Sequence, residues 1–478
     1  MRTIPTLCRA EYTDFTKEDI RGRLPDPNDD EEAQRIWKTL QNFADPKKNR
    51  CFLKFENKDT LRTQNYVGLL QVRGFCLEIL PKVHEGDSNA QHDSSCQNSL
   101  YAFDNTKFQE QVVEFVEKLQ PKKKEEHGEE PEKQKPIAPP PCRICHAKQI
   151  LYNCLATLRS APFKKIQSAY LGNANLPLLD IFACMFLEEC QQLIKRGLKR
   201  DYLRVAKNRT FLKGKLEIAK HLKFNLIHKE RFYTTSNEYS LDVPPNRLIK
   251  ATLKYLKTLA LSPKTQDKFN PVWFVFEEIS PTLDTEIDSD FAKSEHATRF
   301  REYQSLLAWC RLFLRQTFLT PYSGVDQAHA FLFQMERLFE SFVGHWLQRS
   351  VEGYRVSLQE ENREYLMEDE KLKDHSALVP DIVLKNEKEI LILDTKWKVE
   401  KSKKVEKADL YQMWAYASVY ASLEKQREKR RRVSVYLVYP WHGNTQSIMG
   451  IFKPRISTGK SDMSIKLETT YFPLVIMS

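Results

Sequence analysis

Residues 380–398 read PDIVLKNEKEILILDTKWK. Two apolar runs, IVL and ILIL, flank a polar NEK at 386–388, which predicts an antiparallel hairpin. Pairing about that turn sets Asp381 opposite Asp394. Directly opposed residues hold their Cβ atoms about 4.5–5.5 Å apart. Two carboxylates that close repel unless a cation lies between them. A Mg²⁺ ion suits the place, because it takes one or two carboxylates and completes its shell with water and phosphate oxygens. Lys396 lies two residues past Asp394 and projects from the same strand face. An ammonium there can position a water and neutralise charge building on a phosphate. The expected chemistry is phosphodiester hydrolysis. Asp381 and Asp394 would bind metal, the Thr395 carbonyl would add a ligand, and Lys396 would hold the attacking water. The same spacing also fits an exposed hairpin with a surface Asp and Lys, so the flanking residues decide.

Those flanks favour chemistry. Gln412 and Tyr416 stand four apart in KADLYQMWAYASVYAS (407–422), a helical pattern, so they share a face. Glu340 lies beside an apolar helical stripe upstream. The P-D-x₁₂-D-x-K spacing resembles the PD-(D/E)xK nuclease signature, and Q-x-x-x-Y resembles the added motif of RecB-type nucleases. That resemblance implies that Glu340 and Gln412 support metal and water, and that Tyr416 supports DNA or packing.

The elements that must position these residues divide the chain into a multidomain α+β protein. Residues 1–83 read as a β-rich domain, with a hairpin in YVGLLQVRGFCLEILPKV (66–83) turning at Arg73-Gly74. Residues 84–141 read as an insertion. It holds one helix (105–119) and a charged, Pro-rich stretch (121–141) that is expected to be disordered. Residues 142–325 form a mixed helical and β middle region. Helices are expected over 146–203, from Pro245 and over 296–317, with strands in FLKGKLEIAKHL and ERFYTTSNEYSLDVP. Residues 326–478 read as an α/β domain, for which the PD-(D/E)xK resemblance implies a restriction-endonuclease-like fold. It opens on a helical stripe through Phe331, Leu332, Met335, Leu338, Phe339 and Phe342, and it later contains the strand VSVYLVYP.

Charge and cysteine usage bound the setting. The formal net charge is +11 in 478 residues, and residues 195–231 carry 13 Lys/Arg against 3 Asp/Glu. Such a cluster suits a solvated face, DNA phosphates or an acidic partner surface. The ten cysteines have no framework spacing, MRTIPTLCRAEYTDF lacks an apolar signal core, and no apolar run is long enough to span a bilayer. A reduced cytoplasmic setting, away from membranes, is expected. CRICH (142–146) reads as the start of a helix rather than a haem site, whose attachment needs export, or a zinc site, for which no second C-x-x-C is present. STGKS (457–461) is no P-loop, since Pro454 stands where the first glycine belongs.

Taken together, the chain resembles the McrC family, the nuclease subunit of McrBC-type modification-dependent restriction systems. The resemblance rests on YVGLLQVRGFCLEILPKV, LKGKLEIAKHL (212–222), ERFYTTSNEYSLDVPPNRLIKATL (230–253), MERLFESFV, LVPDIVL, ILDTKWK and ADLYQMWAYA, in family order. It implies a bacterial or archaeal Mg²⁺-dependent endonuclease that docks through its N-terminal domain (1–83) and middle region on an McrB-like AAA+ GTPase hexamer, stimulates its GTP hydrolysis and cuts double-stranded DNA carrying modified cytosine. GTP would be bound by the partner. The resemblance favours residues 195–231 as a segment projecting into the partner ring. Two other functions fit parts of the sequence: a GTPase activator that does not cut, and a stand-alone RecB-like repair nuclease.

Overall fold

A computed structural model describes residues 4–72, 74–83, 104–119, 142–158, 177–295, 301–317, 328–359, 364–365, 377–398, 405–426, 431–441, 451–452 and 465–474. The chain forms two compact units, one of Pro5–Leu176 with Asp326–Ser478 and one of Met1–Ile4 with Pro177–Val325. The sequence predicts separate domains at 1–83, 142–325 and 326–478. The structure instead groups the first and last of these in one unit, together with residues 142–176.

The first unit begins with β1 (Thr6–Ala10), α1 (Asp30–Ala44), β2 (Tyr66–Val72) and β3 (Phe75–Leu80). The expected hairpin is present: β2 and β3 pair antiparallel from Val72↔Phe75, and Gly74 takes the left-handed φ of 80° that this tight turn requires. The amphipathic α1 is capped by Asp29, whose side chain accepts from Glu32 N, and it lays Trp37 and Leu40 against Leu70, Val72 and Leu77. Two further helices follow, α2 (Asn105–Leu119) and α3 (Arg143–Ala156). Helix α2 sits where NTKFQEQVVEFVEKL predicts one. It is part of the core, since Phe108 packs on Phe342, Trp346 and Phe472. The Pro-rich stretch lies outside the described residues. CRICH is the start of α3, with Cys142 as its N-cap and Cys145 and His146 buried in its first turn.

The second unit contains α4 (Leu178–Arg196), β4 (Asp201–Arg209), β5 (Lys215–Leu216), α5 (Ile218–Asn225), β6 (Phe232–Ser240), α6 (Pro244–Thr258), α7 (Pro263–Val275) and α8 (Arg301–Thr317). Apolar faces of α4 and α8 meet through Phe182–Trp309 and Phe186–Phe313. The basic window folds as a small antiparallel sheet, ordered β4-β6-β5, with α5 beside it. Here the C-terminal part of the strand expected in FLKGKLEIAKHL is replaced by α5. Ile218 and Leu222 are four apart, Phe224 stacks on Tyr233 of β6, and only Lys215–Leu216 keeps strand pairing.

The chain then returns to the first unit with β7 (Ala328–Gln334), α9 (Met335–Ser350), β8 (Arg355–Leu358), β9 (Ile382–Lys385), β10 (Glu389–Thr395), α10 (Lys407–Gln426), β11 (Arg432–Trp441), β12 (Ile451–Phe452) and β13 (Ile465–Pro473). The expected helical stripe begins later than Phe331, because Ala328–Gln334 is a strand. The open edge of β2 captures it antiparallel, Phe331↔Leu69, completing a sheet ordered β1-β3-β2-β7. Gly68, φ 133°, permits this approach: a Cβ there would fall 2.0 Å from the Phe331 carbonyl oxygen. The second sheet runs β8-β9-β10-β11-β13-β12, with β10, β11 and β13 parallel and the remaining pairs antiparallel. Helix α10 links β10 to β11 and buries Met413, Tyr416, Ala417 and Tyr420 on Val383, Ile390, Ile392 and Val435. Among the described residues, no helix is long and apolar enough to cross a membrane.

Candidate active site

The hairpin register fixes the site. Ile382↔Leu393 and Lys385↔Ile390 bound the β9–β10 ladder, and one further step sets Asp381 opposite Asp394, as the sequence predicts. The Asn386 side chain closes the turn, accepting from Lys388 N at 2.8 Å and Glu389 N at 2.7 Å. Along β10 the side chains alternate, so Ile390, Ile392 and Asp394 share the face covered by α10. The two isoleucines anchor that face in the core, and Asp394 ends it at 1% exposure.

Lys396 continues the alternation and meets α10. Its Nζ lies 2.6 Å from Asp394 Oδ2 and donates to Gln412 Oε1 at 3.0 Å. Gln412 Nε2 donates to the Tyr416 hydroxyl at 2.8 Å, and that hydroxyl donates to the Val379 carbonyl at 3.3 Å. The i,i+4 pair read from the sequence is therefore a chain of hydrogen bonds ending on the lysine. Asp381 is oriented separately: its Oδ2 accepts from both Thr395 N and Thr395 Oγ1 at 2.7 Å. Glu340 on α9 accepts from Gln359 Nε2 at 2.9 Å.

The carboxylates disturb one another. Burial first, then Asp381, pushes Asp394 up to about 6 despite the nearby Lys396. Burial, then the charge of Asp381, pushes Glu340 up to about 7. Burial and then Asp394 hold the Tyr416 phenol far above its ordinary range, so it stays protonated. Asp394 Oδ2 is buried and is met by Lys396 Nζ at 2.6 Å. Negative charge is thus crowded at the buried Asp394, beside Asp381 and Glu340, and one lysine does not offset it, which fits a divalent cation. Among the described residues, no group of three or more His, Cys, Asp or Glu stands close enough to hold a metal alone. The donor set offered is two aspartates with main chain and solvent, the pattern that suits Mg²⁺.

Sequence reasoning misses two residues at the site. Gln359 holds Glu340 through its side chain and Asp381 through its backbone, donating from N to the Asp381 carbonyl at 2.9 Å. Its φ of 42° is left-handed, a strain that concentrates at functional sites. Asp409, three residues before Gln412 on α10, is 4.0 Å from Lys396 Nζ and accepts from Lys398 Nζ at 3.0 Å. Its helical spacing to Gln412 was the available clue, whereas nothing local marks Gln359.

Paired aspartates, a lysine and a helix-borne Gln–Tyr pair at the ends of sheet strands define a multidomain α+β protein with an acid–lysine site. The chain belongs to the family described as McrBC 5-methylcytosine restriction system component, whose model matches residues 61–440. It is similar to the type IV methyl-directed restriction enzyme EcoKMcrBC of Escherichia coli (strain K12), at 24% identity over 234 residues, or 46% of this chain. The match spans 64% of that relative's length. Its fold resembles a chain of the refined half-complex from the tetradecameric assembly of Thermococcus gammatolerans McrB AAA+ hexamers with bound McrC. There the TM-score is 0.56 and the identity 15%, over 98% of this chain and 94% of the other.

Proposed function

We propose that this chain is the Mg²⁺-dependent endonuclease subunit of a GTP-dependent restriction complex acting on DNA with modified cytosine, with a PD-(D/E)xK-type nuclease site at residues 381–396. The observation that carries the reading is the joining of Asp381, Asp394 and Lys396 by one hairpin register, with Lys396 tied to Gln412 and Tyr416. Asp381, Asp394 and the Thr395 carbonyl would hold the Mg²⁺. When bound, the ion lowers the pKa of a water and offsets charge on the phosphate. Lys396 Nζ, steered by Gln412 Oε1, holds the attacking water and meets the charge that develops on the phosphoryl oxygens. Glu340, pushed up to about 7, takes up a proton near neutral pH. Tyr416, kept protonated, fixes the Gln412 amide so that its oxygen faces the lysine.

The same reading gives the second unit the task of docking on an McrB-like AAA+ GTPase hexamer and stimulating it. Support comes from the small sheet and α5, where Phe211, Leu212, Leu222, Phe224, Leu226 and Ile227 are each more than half exposed. Apolar side chains clustered among lysines and arginines suit a protein partner better than DNA phosphates alone. The test is reconstitution with that GTPase, comparing wild type with Asp394→Ala. Loss of cutting with GTPase stimulation retained supports the reading. Full cutting by Asp394→Ala refutes it, and stimulation without any cutting by wild type leaves a regulator.

A further inference from the structure

We propose that Glu11 is a positioning residue for the nuclease site, linking the N-terminal sheet to Lys396 through the indole N–H of Trp397. The inference rests on the nuclease reading above and adds a residue far outside the motif. Glu11 follows β1 and donates its own N–H to the Leu80 carbonyl at 3.1 Å, which fixes its backbone to the sheet. Its side chain is 0% exposed. One oxygen, Oε2, accepts from Trp397 Nε1 at 2.8 Å and from Lys82 N at 3.1 Å. The other, Oε1, is buried and accepts no hydrogen bond. Among the described residues Glu11 forms no salt bridge. Burial pushes its carboxyl up to about 7.

Trp397 is the residue after Lys396, beyond the end of β10, where no ladder pairing holds it. Two contacts do so instead. Its ring lies 5.5 Å from that of Phe339, the residue before Glu340 on α9. Its N–H is held by Glu11, 386 positions earlier in the chain. Helix α9 is tied to the same end of the N-terminal sheet, since Met335 N donates to the Asn65 carbonyl at 3.2 Å. Glu11 and Trp397 therefore stand between the N-terminal sheet and two elements of the site, the strand end bearing Lys396 and the helix bearing Glu340. A carboxylate is the acceptor suited to two donors on one oxygen. A contact that only filled core would not need an indole N–H, and phenylalanine would serve as well.

The test uses the full chain reconstituted with its AAA+ partner, GTP and modified DNA, measuring the cutting rate against Mg²⁺ concentration and GTPase stimulation in the same samples. Trp397→Phe keeps the ring on Phe339 and removes the donor. Glu11→Ala removes the acceptor. Each is expected to raise the Mg²⁺ needed for half-maximal cutting, or to lower the maximal rate, by about 10–100-fold, the usual effect of losing a residue that orients a metal site. GTPase stimulation should stay within about two-fold, and the double variant should be no worse than the worse single one, since both break one link. Glu11→Gln keeps an acceptor oxygen and should cut within a few-fold of wild type. Wild-type Mg²⁺ dependence in Trp397→Phe, additive losses, or parallel loss of GTPase stimulation would overturn the proposal. Undiminished cutting by Asp394→Ala would instead refute the nuclease reading itself, and this inference would fall with it.

Discussion

Glu11→Gln gives a stability prediction that can be worked from the structure alone. The carboxyl has an ordinary value of 4.5 and is pushed up to about 7 in the folded chain by burial. Between those values the folded protein holds a proton that the unfolded chain has lost. Stability from the neutral form is thus fully present below pH 4.5 and is lost as pH rises through about 7. A shift of this size corresponds to about 3 kcal/mol in all, of which about 2 kcal/mol falls between pH 5.5 and 8.5. Glutamine does not titrate. The variant's melting temperature, relative to wild type, should therefore rise by about 3 °C from pH 5.5 to 8.5, given the unfolding entropy of a unit of roughly 300 residues. The assay is calorimetry or tryptophan fluorescence melting of both proteins across that range. A difference that stays flat within about 1 °C would refute the reasoning, because it would mean that Glu11 is charged in the fold at little cost.

Three further outcomes are expected. At sub-saturating Mg²⁺, cutting should rise with pH between about 6 and 7, where Asp394 and Glu340 lose protons that compete with the metal; cutting rates over pH 5.5–8 check this, with GTPase activity followed alongside. Gln359→Gly relieves a left-handed backbone but frees Glu340, so folding stability should hold steady or rise by about 1 kcal/mol while cutting falls about 10-fold. Leu226→Ser combined with Ile227→Ser alters side chains that are 72% and 87% exposed, so stability should move by less than about 0.5 kcal/mol per site. Partner binding and GTPase stimulation should fall about 10-fold or more, as expected where exposed apolar anchors carry binding.

The parts of the site legible in the sequence were those fixed by local periodicity. A polar turn between two apolar runs sets the β9–β10 register, and the register alone places Asp381 against Asp394. The two-residue period then puts Lys396 on the same face, and helical spacing puts Gln412 beside Tyr416. What escaped was set by distant partners. AHAFLFQ is apolar enough to continue the helical stripe that follows it, and only the open edge of β2, some 260 positions earlier, makes it a strand. Helix α2 looked like part of an insertion because its apolar face is covered by Phe342, Trp346 and Phe472, all remote in sequence. Gln359 and Glu11 are single polar residues without a pattern, and their roles appear only once α9 and the strand ends are in place.

The most direct test of the central claim is Mg²⁺-dependent cleavage of methylated and unmethylated plasmid. The chain would be assayed alone, then with its AAA+ partner and GTP, with Asp394→Ala as control. The account predicts cutting of methylated DNA only in the full mixture, lost in Asp394→Ala while GTPase stimulation remains. Equal cutting by Asp394→Ala, or cutting by the chain alone without GTP, would contradict it.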